Sequence, residues 1–323
     1  MDIKAYLYDA DGSDEEVQPE DVDIRKLKEK QLLWINVEER DEQTLRHVAQ
    51  SVNLEGVPIR DVMRTEDRPR IENYEKFFRF SISSVKMQKD ESPESVMIDY
   101  IVGRNFVITV HEGEIDYFEE FRKREKGETE LGKLDAESFL ATLLDLHIVS
   151  YFRAMEEIER QVDRFDESIL KTDMDPDRLL SDMVKLRREV SDLRRWLLPH
   201  RDVFYSLTRA DFLQIAESDS VEEFKRLTDH FENAVDAIER ARETVLGVFE
   251  LYATKSAQMT NTFVQRLTFL TLLTGSLAVI AGILGMNFKA DIFDAQNGFW
   301  LTVVGLFVVA AVLTVFARFK RWI

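Results

Sequence analysis

The chain has 323 residues, and its 61 acidic against 43 basic side chains give a formal net charge of −18 at pH 7. Such an acidic surface repels nucleic acid and attracts cations, which argues against a role in nucleic-acid binding. The sequence contains no cysteine, so disulfides and thiolate metal sites are excluded. Its first residues lack the basic and apolar regions of a signal peptide, and we expect the N-terminus to stay in the cytoplasm.

The first part of the chain, residues 1–135, predicts a cytoplasmic α+β domain with a mixed sheet and helices. Runs rich in aromatic and β-branched residues predict strands, and these runs lie at 4–10, 32–38, 76–85 and 95–112. The last run contains Gly103-Arg104-Asn105, which indicates a hairpin turn. Between the strands, residues 41–54 have the spacing of an amphipathic helix.

Residues 136–266 predict a bundle of long, coiled-coil-like helices and a stalk. Apolar residues recur every three or four positions along 137–170 and along 175–199, with Pro199 as the predicted end of the second helix. A third seam starts at Phe231. Because no proline follows before Phe288, one helix of about 87 Å can connect these two residues and enter a membrane unbroken.

Two uncharged segments near the C-terminus predict a transmembrane hairpin. The predicted parts are a first span at 267–288, an external loop at 289–298, a second span at 299–319 and a cytoplasmic tail at 320–323. Each span is long enough to cross the hydrocarbon core of a bilayer. Basic residues flank the inner ends of both spans, so both termini are predicted to be cytoplasmic in the plasma (inner) membrane. These residues are Lys255, Arg266, Arg318, Lys320 and Arg321.

One face of the first span is small and polar at helical spacing. It contains Asn261, Val264, Leu267 or Thr268, Thr271, Thr274 or Gly275, Ala278, Gly282 and Gly285. Periodicity leaves two interpretations open. The face can pack against another helix, because small residues let transmembrane helices approach closely. It can also line a pore, which needs several copies of the chain because two spans cannot enclose one.

The tripeptide Gly285-Met286-Asn287 stands at the outer end of the first span. Taken alone, it also fits a polar end of a helix, since asparagine tolerates that position. Further segments match a known family, namely those at Pro69–Phe80, 100–112, 143–170 and 252–268. With them, nearly the whole chain resembles the CorA family of divalent-cation channels, which have two spans and a Gly-Met-Asn signature.

The resemblance implies a homopentamer in the lipid bilayer, with the first spans around one pore. Asn287 would form a ring of amides at the outer mouth, where Gly285 lets backbone carbonyls approach and Met286 packs behind the loop. Neutral oxygens can bind the waters of a hydrated Mg²⁺ without stripping them. By resemblance, the inner pore is lined by Asn261, Val264, Leu267, Thr271, Gly275 and Ala278. Of these, Val264 and Leu267 would form an apolar gate.

The expected cargo is Mg²⁺, with Co²⁺ or Ni²⁺ as secondary ions, moved by the membrane potential without a further cofactor. The first span holds no histidine and the chain no cysteine, which disfavours a soft zinc site in the pore. Zinc transport, as in the related ZntB-like branch, remains the alternative. Lys289 stands beside the mouth, where the magnesium members of the family usually have an acidic loop.

In the family, intracellular Mg²⁺ closes the channel by bridging carboxylates between protomers. One usual position aligns with Arg226, which cannot bind a cation, and the remaining candidates are Asp90, Asp229 and Glu250. Solvated acidic surface is the alternative for these three. His111 and His147 are expected to be structural.

Two other function classes compete: a membrane-anchored scaffold or sensor, and a cytoplasmic enzyme. We expect no enzyme, because no phosphate loop or nucleophile elbow is present.

Overall fold

The structure is a computed structural model, and the part described comprises residues 3–9, 14–28, 30–57, 59–63, 68–86, 92–125, 135–171, 175–216, 218, 220–286 and 297–320. The chain divides into two compact units. The first comprises Met1–Ser168 and Asp173–Val248, and the second comprises Ile169–Thr172 and Phe249–Ile323.

The first unit is built on a seven-stranded mixed sheet. Its strands are β1 (Ile3–Asp9), β2 (Glu15–Val17), β3 (Gln31–Val37), β4 (Arg70–Asn73), β5 (Phe77–Lys86), β6 (Glu94–Gly103) and β7 (Phe106–Val110). Their spatial order is β2-β1-β3-β7-β6-β5-β4. Strands β3 and β7 pair in parallel, whereas the other neighbouring strands pair antiparallel.

Most of the remaining described chain is helical. The helices are α1 (Glu42–Ser51), α2 (Ile59–Met63), α3 (Asp116–Glu125), α4 (Ala136–Leu170), α5 (Pro176–Leu197), α6 (Arg201–Leu207), α7 (Leu213–Ala216), α8 (Val221–Leu284) and α9 (Gly298–Phe319). Helix α8 has 64 residues. Its first part, to Val248, belongs to the first unit and the rest to the second.

Both faces of the sheet are buried, which explains the nearly continuous apolar run of β3. On one face, Leu33 and Ile35 belong to the same buried cluster as Leu45 of α1. On the other face, the Trp34 ring meets Phe118 of α3 edge-on, with ring centroids 5.4 Å apart. The sheet is therefore the middle layer between α1 on one side and α3 with α4 on the other.

A buried ion-pair network connects α2 to the sheet through hydrogen bonds. Asp99 of β6 accepts hydrogen bonds from Arg40 Nη1 at 2.6 Å and from Arg79 Nη2 at 2.7 Å. The same two guanidiniums also donate to backbone carbonyls of α2, at Val62 and Asp61. Because the Asp99 carboxylate satisfies both cations, the network can stay inside the core.

The predicted fold class is confirmed, since a mixed sheet with helices precedes long helices and a second apolar helix. Two boundaries differ from the predictions. Helix α5 ends at Leu197, but Pro199 lies within a 3₁₀ turn that leads directly into α6 rather than ending the helical path. Helix α8 begins at Val221, ten residues before the predicted start, because Phe224 and Leu227 extend its buried seam. The short elements β2, β4, α2, α3, α6 and α7 were not predicted.

Candidate functional site

Two helices are long and apolar enough to cross a membrane, by length and composition. The most apolar windows of α8 and α9 reach mean hydropathies of 2.1 and 2.5, and none of their residues is buried. These windows lie in the two segments that the sequence predicts as spans.

The apolar part of α8 has one partly covered stripe. Its residues are Phe269, Leu273, Ser276, Leu277, Ile280 and Leu284. Helix α9 has a similar stripe, formed by Gly298, Thr302, Val303, Leu306, Val309, Ala310, Leu313 and Ala317. Because both stripes repeat every three or four residues, each helix turns one side towards the rest of the second unit.

The predicted pore residues lie on the other side of α8. Asn261, Val264, Leu267, Thr271, Gly275 and Ala278 are all exposed. At 3.6 residues per turn they stand roughly opposite the covered stripe. Even the apolar Val264 and Leu267 are 51% and 52% exposed. This face is therefore not the one with which α8 packs in the described part of the chain.

The exposed face offers neutral hydrogen-bond acceptors. The Thr271 hydroxyl donates to the Leu267 carbonyl at 2.9 Å, and the Thr268 hydroxyl donates to the Val264 carbonyl at 2.8 Å. Since each hydroxyl has used its proton on its own helix, its oxygen lone pairs remain available to a donor such as a metal-bound water. A Cβ added to Gly275 would meet no atom within 4 Å, so the face is also unobstructed there.

Gly285 and Met286 form the turn that ends α8. The Gly285 amide donates to the Ala281 carbonyl at 2.9 Å, and the Met286 amide donates to the Ile283 carbonyl at 3.2 Å. A Cβ at Gly285 would stand 3.3 Å from the Ala281 oxygen, a tight approach that favours glycine. The Met286 side chain is half exposed. Asn287, the third residue of the signature, lies outside the described residues, as does Lys289.

Of the regulatory candidates, Asp229 and Glu250 are exposed on α8, and neither forms an ion pair within the described segments. They stand 21 residues apart in the sequence, so the two carboxylates of one chain cannot bind the same ion. Asp90 lies outside the described residues, and Arg226 is exposed. Among the residues that the structure describes, no group of three or more His, Asp or Glu side chains is placed to hold a metal ion.

The apolar part of α8 and helix α9 contain no histidine. His111 and His147 are fully buried, in agreement with a structural role. The His111 Nδ1 donates to the Gly113 carbonyl at 2.7 Å, and burial lowers the pKa of His111 to about 4. Sequence reasoning missed His200, whose Nε2 accepts a hydrogen bond from the Ser83 amide at 2.9 Å.

Ser276 is a polar residue in the middle of the apolar part of α8. In this chain α8 passes through the position without a break, and the Ser276 hydroxyl donates to the Leu272 carbonyl at 2.7 Å. Ser276 belongs to the covered stripe. The exposed face therefore continues past it unchanged.

Comparisons with known proteins agree on one family. A relative named cobalt/magnesium transport protein CorA, from Thermotoga maritima, is 25% identical over 295 residues, which are 90% of this chain and 83% of that protein. Among solved structures, the CorA magnesium transporter of Methanocaldococcus jannaschii has a TM-score of 0.78 at 19% identity, and the alignment covers 99% of this chain and 98% of the other. Full-length CmaX has a TM-score of 0.73 at 20% identity, covering 99% and 97%.

A further solved structure shares the fold of most of this chain. The cytoplasmic domain of ZntB from Vibrio parahaemolyticus has a TM-score of 0.61 at 12% identity, covering 80% of this chain and all of that domain. The family model described as CorA-like Mg2+ transporter protein matches residues 29–321. Since this match spans most of the sequence, the chain belongs to the CorA family of metal-ion transporters.

Proposed function

We propose that this transporter is a homopentameric Mg²⁺ channel whose five α8 helices turn their exposed faces towards one pore. The observation that carries the proposal is that this face is uncharged and uncovered, and that it leads to the turn at Gly285 and Met286, which Asn287 follows in the sequence. Because the two spans of one chain cannot enclose a pore, a pore along this face needs several copies of the chain around one axis.

The chemistry of the face suits a hydrated divalent cation. Mg²⁺ gives up its waters reluctantly, so a pore that binds those waters avoids the free energy of stripping them. The Thr271 hydroxyl oxygen, and the ring formed by the Asn287 side-chain amides of the five copies, would accept hydrogen bonds from the waters of the hydration shell. Such neutral sites bind weakly enough for rapid release, which conduction requires.

The proposed gate lies on α8, and basic residues beside both spans indicate the orientation in the membrane. Val264 and Leu267 would form an apolar constriction that closes by dewetting. Lys255 and Arg266 precede the first span and Lys320 follows the second, which supports cytoplasmic termini in the plasma membrane.

Mg²⁺ is the favoured ion, and Co²⁺ or Ni²⁺ are secondary candidates. The name of the Thermotoga maritima relative refers to cobalt and magnesium, and the apolar part of α8 contains no histidine. Lys289 beside the proposed mouth is the feature that keeps zinc transport as the second candidate, and the first experiment compares these ions directly.

The test is ion flux into proteoliposomes that contain the wild type, Asn287→Ala or Asn297→Ala. Asn297 is a matched control, because it precedes α9 and its side chain makes no capping hydrogen bond. We expect Mg²⁺ uptake by the wild type and by Asn297→Ala, and at least a tenfold loss in Asn287→Ala, about 1.4 kcal/mol of stabilisation of the permeating ion.

Two results would contradict the proposal. Zn²⁺ flux without Mg²⁺ flux would place the protein with the zinc transporters and make Lys289 the next residue to vary. A folded pentamer that carries none of the ions would support a membrane-anchored scaffold instead.

A further inference from the structure

The first unit contains a cavity that the transport proposal does not use. It has a volume of about 710 Å³ and opens between α4, α5, the start of α3 and the adjacent ends of β5 and β6. This volume lies within the range of small-molecule sites, about 300–1,000 Å³. Part of its wall is apolar, formed by Val85, Val96, Ile115, Ala154, Ile158 and Leu193.

Cationic side chains from three elements line the same cavity. They are Lys86 of β5, Arg153, Arg160 and Arg164 of α4, and Lys185 of α5. Four carboxylates also line it, namely Glu114, Asp116, Glu157 and Glu189. The lining thus has five cations against four carboxylates, and the ion pairs of these groups decide which cations stay available to a ligand.

The ion pairs show which of these cations can still bind a ligand. Arg153 is occupied, because Glu120 binds it through both oxygens at 2.7 and 2.8 Å. Arg160 and Arg164 share the single carboxylate of Glu157, at 2.9 and 3.1 Å. A guanidinium has five N–H donors, so both arginines keep donors for another acceptor.

The two lysines are the least neutralised groups. Lys86 has no ion-pair partner among the described residues. Lys185 stands 3.9 Å from the nearly buried Glu189, a carboxylate that also accepts a hydrogen bond from the Ser92 hydroxyl at 3.0 Å. The cavity therefore combines two ammonium groups with free N–H donors of two guanidiniums.

We propose that this cavity binds an organic phosphate of about nucleotide size. The phosphate oxygens would lie against Lys86, Lys185 and the arginine pair, because lysine and arginine bind phosphate by charge and by parallel hydrogen bonds. The apolar or aromatic body would cover the wall around Ile158 and Leu193. An inorganic anion would leave this apolar wall in contact with water.

The test measures binding to the full-length protein in detergent by isothermal titration calorimetry. ATP, pyrophosphate and adenosine serve as probes, and EDTA in every solution removes divalent cations, so that chelation by ATP has no effect on the protein. The variants are Lys86→Gln and Lys185→Gln. Arg188→Gln is the matched control, because Arg188 is exposed one turn along α5 and does not line the cavity.

We expect ATP to bind more tightly than pyrophosphate or adenosine alone. Each lysine variant should weaken ATP binding at least tenfold, about 1.4 kcal/mol, while Arg188→Gln binds like the wild type. Lys86→Gln keeps the test valid if Lys185→Gln fails to fold.

Three results would overturn the proposal. They are no ATP binding at millimolar concentration, equal affinity for pyrophosphate and ATP, or the same loss of affinity in Arg188→Gln as in the lysine variants. None of these readouts involves ion flux, so the proposal stands or falls separately from Mg²⁺ transport.

Discussion

His147 and His200 meet in the interior of the first unit, with ring centroids 5.1 Å apart. Both ring nitrogens of His200 have hydrogen-bond partners. Its Nδ1 donates to the Leu197 carbonyl at 2.9 Å, and its Nε2 accepts a hydrogen bond from the Ser83 amide. His147 has no hydrogen-bond partner for either nitrogen within the described residues. Burial lowers the pKa of His200 to about 4 and that of His147 well below its usual value. Both rings are therefore neutral in the folded protein at neutral pH.

This pair predicts a loss of stability in mild acid. In the unfolded chain a histidine takes up a proton near pH 6.5, whereas the folded protein keeps both rings neutral until the pH is far lower. Below pH 6.5 the unfolded state thus binds more protons, and the free energy of unfolding falls as the pH decreases towards 4. For His200 alone the loss can reach about 3 kcal/mol.

The measurement is the thermal unfolding midpoint of the full-length protein in detergent at pH 7.5 and pH 5. His147→Phe removes one buried titratable ring and replaces it with an apolar one, so its midpoint should fall less between these pH values than that of the wild type. His47→Gln is the control, because His47 is an exposed residue bonded to Glu20. If His147→Phe and the wild type lose stability equally, the pair does not cause the acid sensitivity.

Only part of this residue-level detail could be predicted from the sequence. That His147 is structural followed from the absence of nearby ligand residues in the sequence. The role of His200 as an acceptor could not be predicted, because its donor Ser83 is 117 residues away. Only the packing of α5 and α6 on the sheet brings these two residues together.

At the scale of elements, the periodic ones were predictable and the short ones were not. The seams of α4 and α5 repeat over many turns, and both helices were predicted with bounds close to those observed. Strands β2 and β4 have three and four residues, too few for a period to show. The face of α8 stayed ambiguous because packing faces and pore faces both use small residues. The partly covered stripe on its opposite side shows that the described chain does not pack against this face, and the pore interpretation stays a prediction.

The two faces of α8 predict different effects for the same substitution, with a change in flux expected only on the proposed pore face. In the proposed pore, Leu267→Ser should wet the apolar constriction and raise Mg²⁺ flux several-fold at low driving force. Leu272→Ser is the matched control, because Leu272 is similarly exposed, at 56%, but lies about 140° around α8 from Leu267. The measurement is the initial rate of Mg²⁺ uptake by proteoliposomes with matched protein content. Equal rates in both variants would remove Leu267 from the gate.

At the scale of the whole molecule, the chain combines a strongly charged first unit with two apolar helices. The family and the class of transported solute were predictable, because the Gly-Met-Asn signature and the two uncharged spans are local features of the sequence. The number of copies around the pore is not a local feature. The two spans of one chain cannot enclose the proposed pore, so the pore needs an oligomer, but this argument does not fix how many copies it has.

The proposed mechanism predicts that the membrane potential alone drives transport. Each elementary charge gains about 2.3 kcal/mol per 100 mV, so a divalent ion gains about 4.6 kcal/mol, which corresponds to a more than thousandfold accumulation at equilibrium. A potassium gradient with valinomycin sets the potential across proteoliposomes that contain Mg²⁺ on both sides. An inside-negative potential should then drive uptake, and reversing it should drive release at a comparable rate. A proton ionophore should leave both rates unchanged, since no proton moves with the ion. If uptake stops with the ionophore and survives without a potential, the protein couples Mg²⁺ to protons and is not a passive channel.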